Sequence, residues 1–247
     1  MWKFKLKAFA LHFSVSLVIV LISALIVWFF WYPAPLYKAS GVNSIFMIVL
    51  GIGLIIGPLL TFLVSKPNKK SLKFDLFVIV VLQLAAFFYG LYQVYDGRPA
   101  WIAYNVDRFD LVRNNEIDNR KLLEALPAYL QVSNSGPLYV AAIIPKGKSE
   151  ISNQILFDEV GSGIAPSQRP ELYVPLQQVE PNMSDRVRAL SELDSYNDKA
   201  KVRDILSTYP EADGFLPLKA NAISMTVLIN TDDQPKVVKI VDLRPWE

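Results

Sequence analysis

Leu50-Gly-Ile-Gly-Leu-Ile-Ile-Gly-Pro-Leu-Leu60 sits inside an apolar segment, residues 45–64, that carries no ionisable side chain. About 20 such residues cross a hydrocarbon layer at ~1.5 Å rise per residue. Gly53 and Gly57 are four apart and share one helix face, where the missing side chains let another backbone approach closely. Pro58 removes a backbone donor, and in lipid the carbonyl it leaves free has to be satisfied by a neighbour. The stretch is therefore built to be packed against. Its partners are either the other helices of this chain or a helix of another protein docked on the glycine face.

Two further apolar runs flank it. Lys3, Lys5 and Lys7 precede a run over about residues 8–32 that ends in Trp28-Phe-Phe-Trp-Tyr32. That run is longer than the ~7–15 residues of a signal-peptide core and lacks small residues at its end, so it reads as an uncleaved first span. Its aromatic end suits a membrane–water interface. After the central run, Ser65-Lys-Pro-Asn-Lys-Lys-Ser-Leu-Lys73 supplies four lysines, and a third span is expected over about residues 76–95.

Charge separates the chain into two unlike parts. Residues 1–95 hold eight lysines, no arginine and one acid, Asp75; residues 96–247 hold 17 Lys+Arg against 22 Asp+Glu, a balance of −5. Among the short connections, one side of the membrane receives Lys3, Lys5, Lys7 and the lysines of 65–73, and the other only Lys38. The positive-inside rule places the N-terminus and the 65–73 lysines in the cytoplasm, and three spans then deliver residues 96–247 to the outside.

The outer part reads as one small α/β domain with a mixed sheet. Residues 101–106 and 108–113 are alternating strands or one bent strand, and 138–144 is a buried strand. A helix is expected over 118–130 with Asp118 as cap, and another over 149–160 with Ile151, Ile155 and Leu156 on its buried face. Two more are expected near 185–193 and 198–206. Residues 222–230 and 237–242 flank a polar turn, 231–235, as a hairpin.

Several chemistries are excluded. Cysteine is absent and the single histidine is His12, so residues 96–247 lack the side chains of a Ser-His-Asp or Cys-His nucleophile and of the usual transition-metal sets. Gly161-Ser-Gly163 has no following Lys-Ser/Thr, which leaves a phosphate loop unsupported. Asp158-Glu159 and Asp232-Asp233 are expected to be solvated pairs at a helix end and a turn. No basic patch points to nucleic acid. The expectation is a protein without catalytic residues, cofactor or metal, whose exposed Trp, Tyr and Pro serve recognition.

Two polar residues lie within the spans. Gln83, near the middle of the third, is expected to bond between helices. His12, about one turn inside the first, either reaches the headgroup layer or pairs with a carboxylate buried at the same depth.

Taken together, several pieces resemble the type IV pilin accessory proteins of the TfpX/TfpZ kind. In the membrane part these are Leu6-Lys-Ala-Phe-Ala-Leu-His12, Trp31-Tyr-Pro-Ala-Pro-Leu-Tyr37, Gly57-Pro-Leu-Leu-Thr61, Leu82-Gln-Leu-Ala-Ala86 and Tyr89-Gly-Leu-Tyr92. Arg98-Pro99, Val106-Asp-Arg-Phe109, Arg169-Pro-Glu-Leu-Tyr-Val-Pro175, Phe215-Leu-Pro-Leu218 and Leu243-Arg-Pro-Trp246 continue the resemblance through the rest of the chain. Gly53 departs from that family pattern, in which an acidic residue is expected, so no role of a carboxylate there carries over. The resemblance implies a chaperone-like inner-membrane protein whose partners are a cognate type IV pilin, the pilus assembly machinery and the lipid bilayer. With that resemblance, His12 becomes a candidate to donate a hydrogen bond to the glutamate of the pilin's hydrophobic helix; Gly53, Gly57, Pro58 and Gln83 are the helix-contact candidates that the residues themselves offer. The alternative, from the residues alone, is a membrane-tethered periplasmic sensor or ligand-binding module.

Overall fold

Among the described residues, three apolar helices are long enough to cross a membrane: Trp2–Trp31, Val42–Val64 and Leu72–Asp96. The computed structural model describes residues 1–145, 149–232 and 234–246. Its contacts divide the chain into two units, Met1–Ala34 with Gly41–Gly97, and Pro35–Ser40 with Arg98–Glu247. Each helix starts a few residues earlier than the hydropathy suggests, so Lys3, Lys5 and Lys7 are helical rather than leading into the helix.

In the first unit the small apolar cluster of Val20, Val49 and Phe87 takes one residue from each helix. Most other large apolar side chains point outward, as expected of helices solvated by lipid. The aromatic end of the first helix divides: Phe29 and Phe30 are exposed, whereas Tyr32 is buried and donates its hydroxyl to the Val94 carbonyl at 2.7 Å. Residues Val27–Trp31 form a π-helical turn.

The second unit is a mixed sheet followed by its packing turns. Its strands are β1 (Pro99–Asn105), β2 (Arg108–Arg113), β3 (Leu138–Ala142), β4 (Tyr173–Val174), β5 (Arg188–Ala189), β6 (Gly214–Lys219), β7 (Met225–Asn230) and β8 (Lys236–Val241). The order is β4-β3-β1-β2-β6-β7-β8, with β5 also on β6. β1 runs parallel to β3 and β2 parallel to β6; the remaining pairs are antiparallel.

β1 does not alternate between core and solvent: every residue in it is buried. Ile102 and Tyr104 enter one apolar cluster with Phe109, Leu216 and Val227, while Trp101 and Ala103 enter another with Tyr129 and Tyr173. Both faces of this central strand are thus covered, which removes the polar half of the period. β3 departs the other way, with Leu138 and Tyr139 exposed at its start.

The connection between the first two membrane helices belongs to this unit. Leu36 and Ala39 are buried in the first cluster, the Ala39 carbonyl accepts from the backbone of Ala222 at 3.0 Å, and Lys38 Nζ meets Asp242 at 2.8 Å. That hydrogen bond holds the Lys38 pKa above its ordinary value.

Sequence patterning misplaces several other elements. Residues 118–130 form 3-10 turns (Asn119–Glu124 and Pro127–Tyr129) rather than an α-helix, although Asp118 does cap the first by accepting from the Arg120 backbone. The expected helix near 185–193 is instead β5 and a 3-10 turn, Leu190–Ser195. β6 contains Pro217, a residue that argues against a central strand. β5 pairs with Gly214 and Phe215 and β2 with Leu218 and Lys219, so on that edge Pro217 falls in the gap between them, while on the other edge it is in register with Thr226 of β7. The helix Ser149–Ser162 buries Ile155 but leaves Leu156 exposed. The Ile151 side chain and Asp233 lie outside the described residues.

Candidate functional site

The second apolar helix is interrupted by a π-helical turn, Ile52–Ile56, immediately before Gly57 and Pro58. In that register an N–H at position 58 would reach back five residues to the Gly53 carbonyl. Proline has no N–H to give. The third helix supplies the donor: Gln83 Nε2 donates to the Gly53 carbonyl at 2.8 Å and to Ser16 Oγ at 3.1 Å. One amide therefore joins all three helices at the position where the backbone ladder is broken.

The glycines make room for this stitch. A Cβ at Gly57 would stand 1.5 Å from Gln83 Oε1, and one at Gly53 would stand 3.3 Å from both Phe87 and Val20. Of the two partners the sequence leaves open for the glycine face, the structure places this chain's own helices there. Gly90, which sequence reading did not single out, has the same role: its Cβ would lie 2.6 Å from Val49 Cγ2. The signal for it was available, because Ala86 and Gly90 are four apart on the third helix.

His12 lies one turn before Ser16 on the first helix. Its Nδ1 is 2.6 Å from Thr61 Oγ1, and Thr61 lies one turn beyond Gly57. The two roles weighed for His12 from sequence are thus joined by a third, a hydrogen bond inside the bundle. Ser16 and Thr61 are buried and were not anticipated; spacing of four from His12 and from Gly57 is the pattern that would have found them.

In the second unit, Asp158 is not a solvated carboxylate. Arg169 Nη2 meets its Oδ2 at 2.5 Å and Arg120 Nη2 at 3.0 Å, while Arg120 also grips Asp118 at 2.7 Å. The Arg120 hydrogen bonds hold the Asp118 pKa below the usual carboxylate range, and the Arg169 hydrogen bond does the same for Asp158. Pairs with depressed pKa values stabilise the fold above the ordinary carboxylate pKa, and that contribution is lost as the pH falls through the folded values. The network fastens the 3-10 turns to the Ser149–Ser162 helix. Among the described residues, no group of three or more His, Asp or Glu could hold a metal ion.

Comparison with known proteins gives three related results. The sequence profile of a family described as "Fimbrial assembly protein FimB" matches residues 1–41. A fimbrial assembly protein of serogroup E1 from Dichelobacter nodosus is 28% identical over 252 aligned positions, 99% of this chain and 97% of the relative. Another from the same organism, of serogroups C1 and C2, is 36% identical over 126 positions, half of this chain and 93% of the relative. No solved structure matches the chain.

Proposed function

The chain belongs to the fimbrial assembly protein family, and from that premise we propose that it serves pilus assembly as a membrane-held accessory protein for a type IV pilin. The observation that carries the proposal is coverage: its likeness to a fimbrial assembly protein runs through both the helices and the sheet. The narrower affinity with the TfpX/TfpZ kind rests on the motifs quoted above. In this reading the protein has no catalytic task. It lies in the bacterial inner membrane with its N-terminus and the 65–71 connection in the cytoplasm and its sheet in the periplasm, as the lysine distribution supports. The three helices meet the hydrophobic helix of the pilin, the second unit meets its soluble part, and the protein hands it to the assembly machinery.

Since Gly53, Gly57 and Gln83 are engaged within the bundle, they support such contact by fixing the shape of the helices rather than by touching the pilin. His12, nearer the cytoplasmic end, has its Nδ1 engaged with Thr61 and is proposed to meet the pilin glutamate through its other ring nitrogen, Nε2.

The test is co-purification from detergent-solubilised membranes of a piliated host. Pilin should elute with the tagged protein and surface pili should be lost when the gene is deleted. A pilin-free eluate from a piliated strain contradicts the proposal. Orientation is checked separately by a periplasm-dependent reporter, active when fused after the C-terminus and silent at Asn68. Ala39, buried in the sheet's core, is unsuitable for a fusion.

A further inference from the structure

A cavity of about 180 Å³ opens in the second unit between the 3-10 turns and the Ser149–Ser162 helix, lined among others by Lys121, Glu124, Ile155, Arg169, Glu171 and Leu172. Two of its charged side chains are more than nine-tenths buried, Arg169 with 4% and Glu171 with 9% of the side chain exposed. Arg169 spends Nη2 on Asp158 and approaches Glu171 Oε1 with Nη1 at 3.5 Å. Among the described residues, Glu171 Oε2 is buried with no hydrogen-bond partner. A buried carboxylate oxygen in that state calls for a donor.

Charge indicates which kind. Around the cavity and its supporting network stand Asp118, Glu124, Asp158 and Glu171 against Arg120, Lys121 and Arg169, one negative charge in excess. The complementary occupant is a cation that brings an N–H to one oxygen. A guanidinium prefers to grip both oxygens of a carboxylate, and Oε1 is already faced by Arg169. An ammonium needs only one. The apolar wall formed by Ile155 and Leu172 suits a methylene stem leading in from outside.

We propose that this cavity is a receiving site for a lysine side chain of a protein partner, its ammonium donating to Glu171 Oε2. The site is built from residues of the second unit and does not depend on the partner being a pilin.

The test uses the full-length protein in detergent micelles and the probe N-acetyl-lysine methylamide, with its Nε-acetylated form as the uncharged control, followed by saturation-transfer NMR. The lysine probe should bind saturably, competitively with salt, and the acetylated probe should not. Glu171→Gln, which keeps the shape and removes the charge, should weaken binding about tenfold or more, the loss expected for one charge-assisted hydrogen bond. Asp194→Asn, on the exposed turn after β5, should leave it unchanged. Equal binding of the two probes, or no saturable binding by the wild-type protein, overturns the proposal whether or not Glu171→Gln folds. So does unchanged binding by a folded Glu171→Gln variant. Lys146 and Lys148 follow Pro145 in the sequence, so the titration is repeated on the Lys146→Gln, Lys148→Gln variant. Unaltered binding there supports a partner's lysine, and markedly tighter binding assigns the site to this chain's own lysine and contradicts the proposal.

Discussion

The two units of this protein close their interiors by opposite means. In the three apolar helices, contact is set by what is missing: side chains at Gly53, Gly57 and Gly90, and an N–H at Pro58. In the second unit it is set by what is large, with Trp101, Phe109, Tyr173 and Phe215 fully buried around the sheet. The difference follows from the solvent. Lipid gives apolar side chains no reason to leave it, so helices associate through close backbone approach and a few polar bonds. Water drives large apolar surfaces together, and the sheet collects them. Substitutions should therefore hurt the first unit by adding atoms and the second by removing them.

The largest expected effect crosses the sequence boundary between the two. Leu36 stands between two membrane helices in the chain yet lies in the core of the sheet. Leu36→Ala should destabilise the second unit by about 2–5 kcal/mol, the range for emptying a packed leucine site. Thermal unfolding followed by near-ultraviolet circular dichroism should fall in midpoint while helix content persists. Leu59→Ala, on an outward-facing position of the second helix, should barely move it. Equal effects would mean that the connection is not part of the core.

Adding atoms to the first unit comes next. A side chain at Gly57 displaces Gln83 and its two bonds, so Gly57→Leu should cost about 1–3 kcal/mol of overpacking in addition to the lost stitch. The proper control is Gly51→Leu, because nothing lies within 4 Å of a Cβ there. Gly41 is unsuitable, since its φ of 72° would strain any replacement. Piliation and resistance of the purified protein to detergent denaturation should fall for Gly57→Leu alone. Equal losses in both variants would remove the distinction between a packed and an open glycine.

A smaller effect tests strain rather than packing. Val106, at the tip between β1 and β2, is exposed and has a φ of 62°, a conformation β-branched residues avoid. Val106→Asn should stabilise the second unit by roughly 1 kcal/mol, since asparagine tolerates the left-handed region. A lower midpoint would show that the valine side chain makes a contact the strain serves.

How much of this was legible in the sequence differs by unit in the same way. The absence of charge over 45–64, the glycine spacing and Pro58 sufficed to place a packed membrane helix and to require a donor for its freed carbonyl. They did not say that Gln83 would be that donor, because the pairing depends on the rotation of the third helix. In the second unit the hairpin of β7 and β8 and the helix near 198–206, formed by Lys199–Thr208, were readable from local pattern. β6 was not, because Pro217 argues locally against a strand, and its place between β7 and the β2–β5 gap is a fact of tertiary pairing. Nor could a hydropathy pattern show that Leu36 and Ala39 leave the membrane region to complete a core more than 60 residues away.

The central claim, that Gln83 repairs the backbone defect made by Pro58, is tested most directly by a double-mutant cycle. Gln83→Met removes the donor with little change in volume, and Pro58→Ala returns an N–H to the helix. Stability would be measured for all four combinations by unfolding in a graded mixture of mild and denaturing detergent. Gln83→Met should cost about 0.6 kcal/mol or somewhat more with proline present, the usual worth of an interhelical hydrogen bond, and clearly less once Pro58 is alanine, when only the bond to Ser16 is left to lose. An identical cost in the two backgrounds would contradict the account and reduce Gln83 to an ordinary contact between helices.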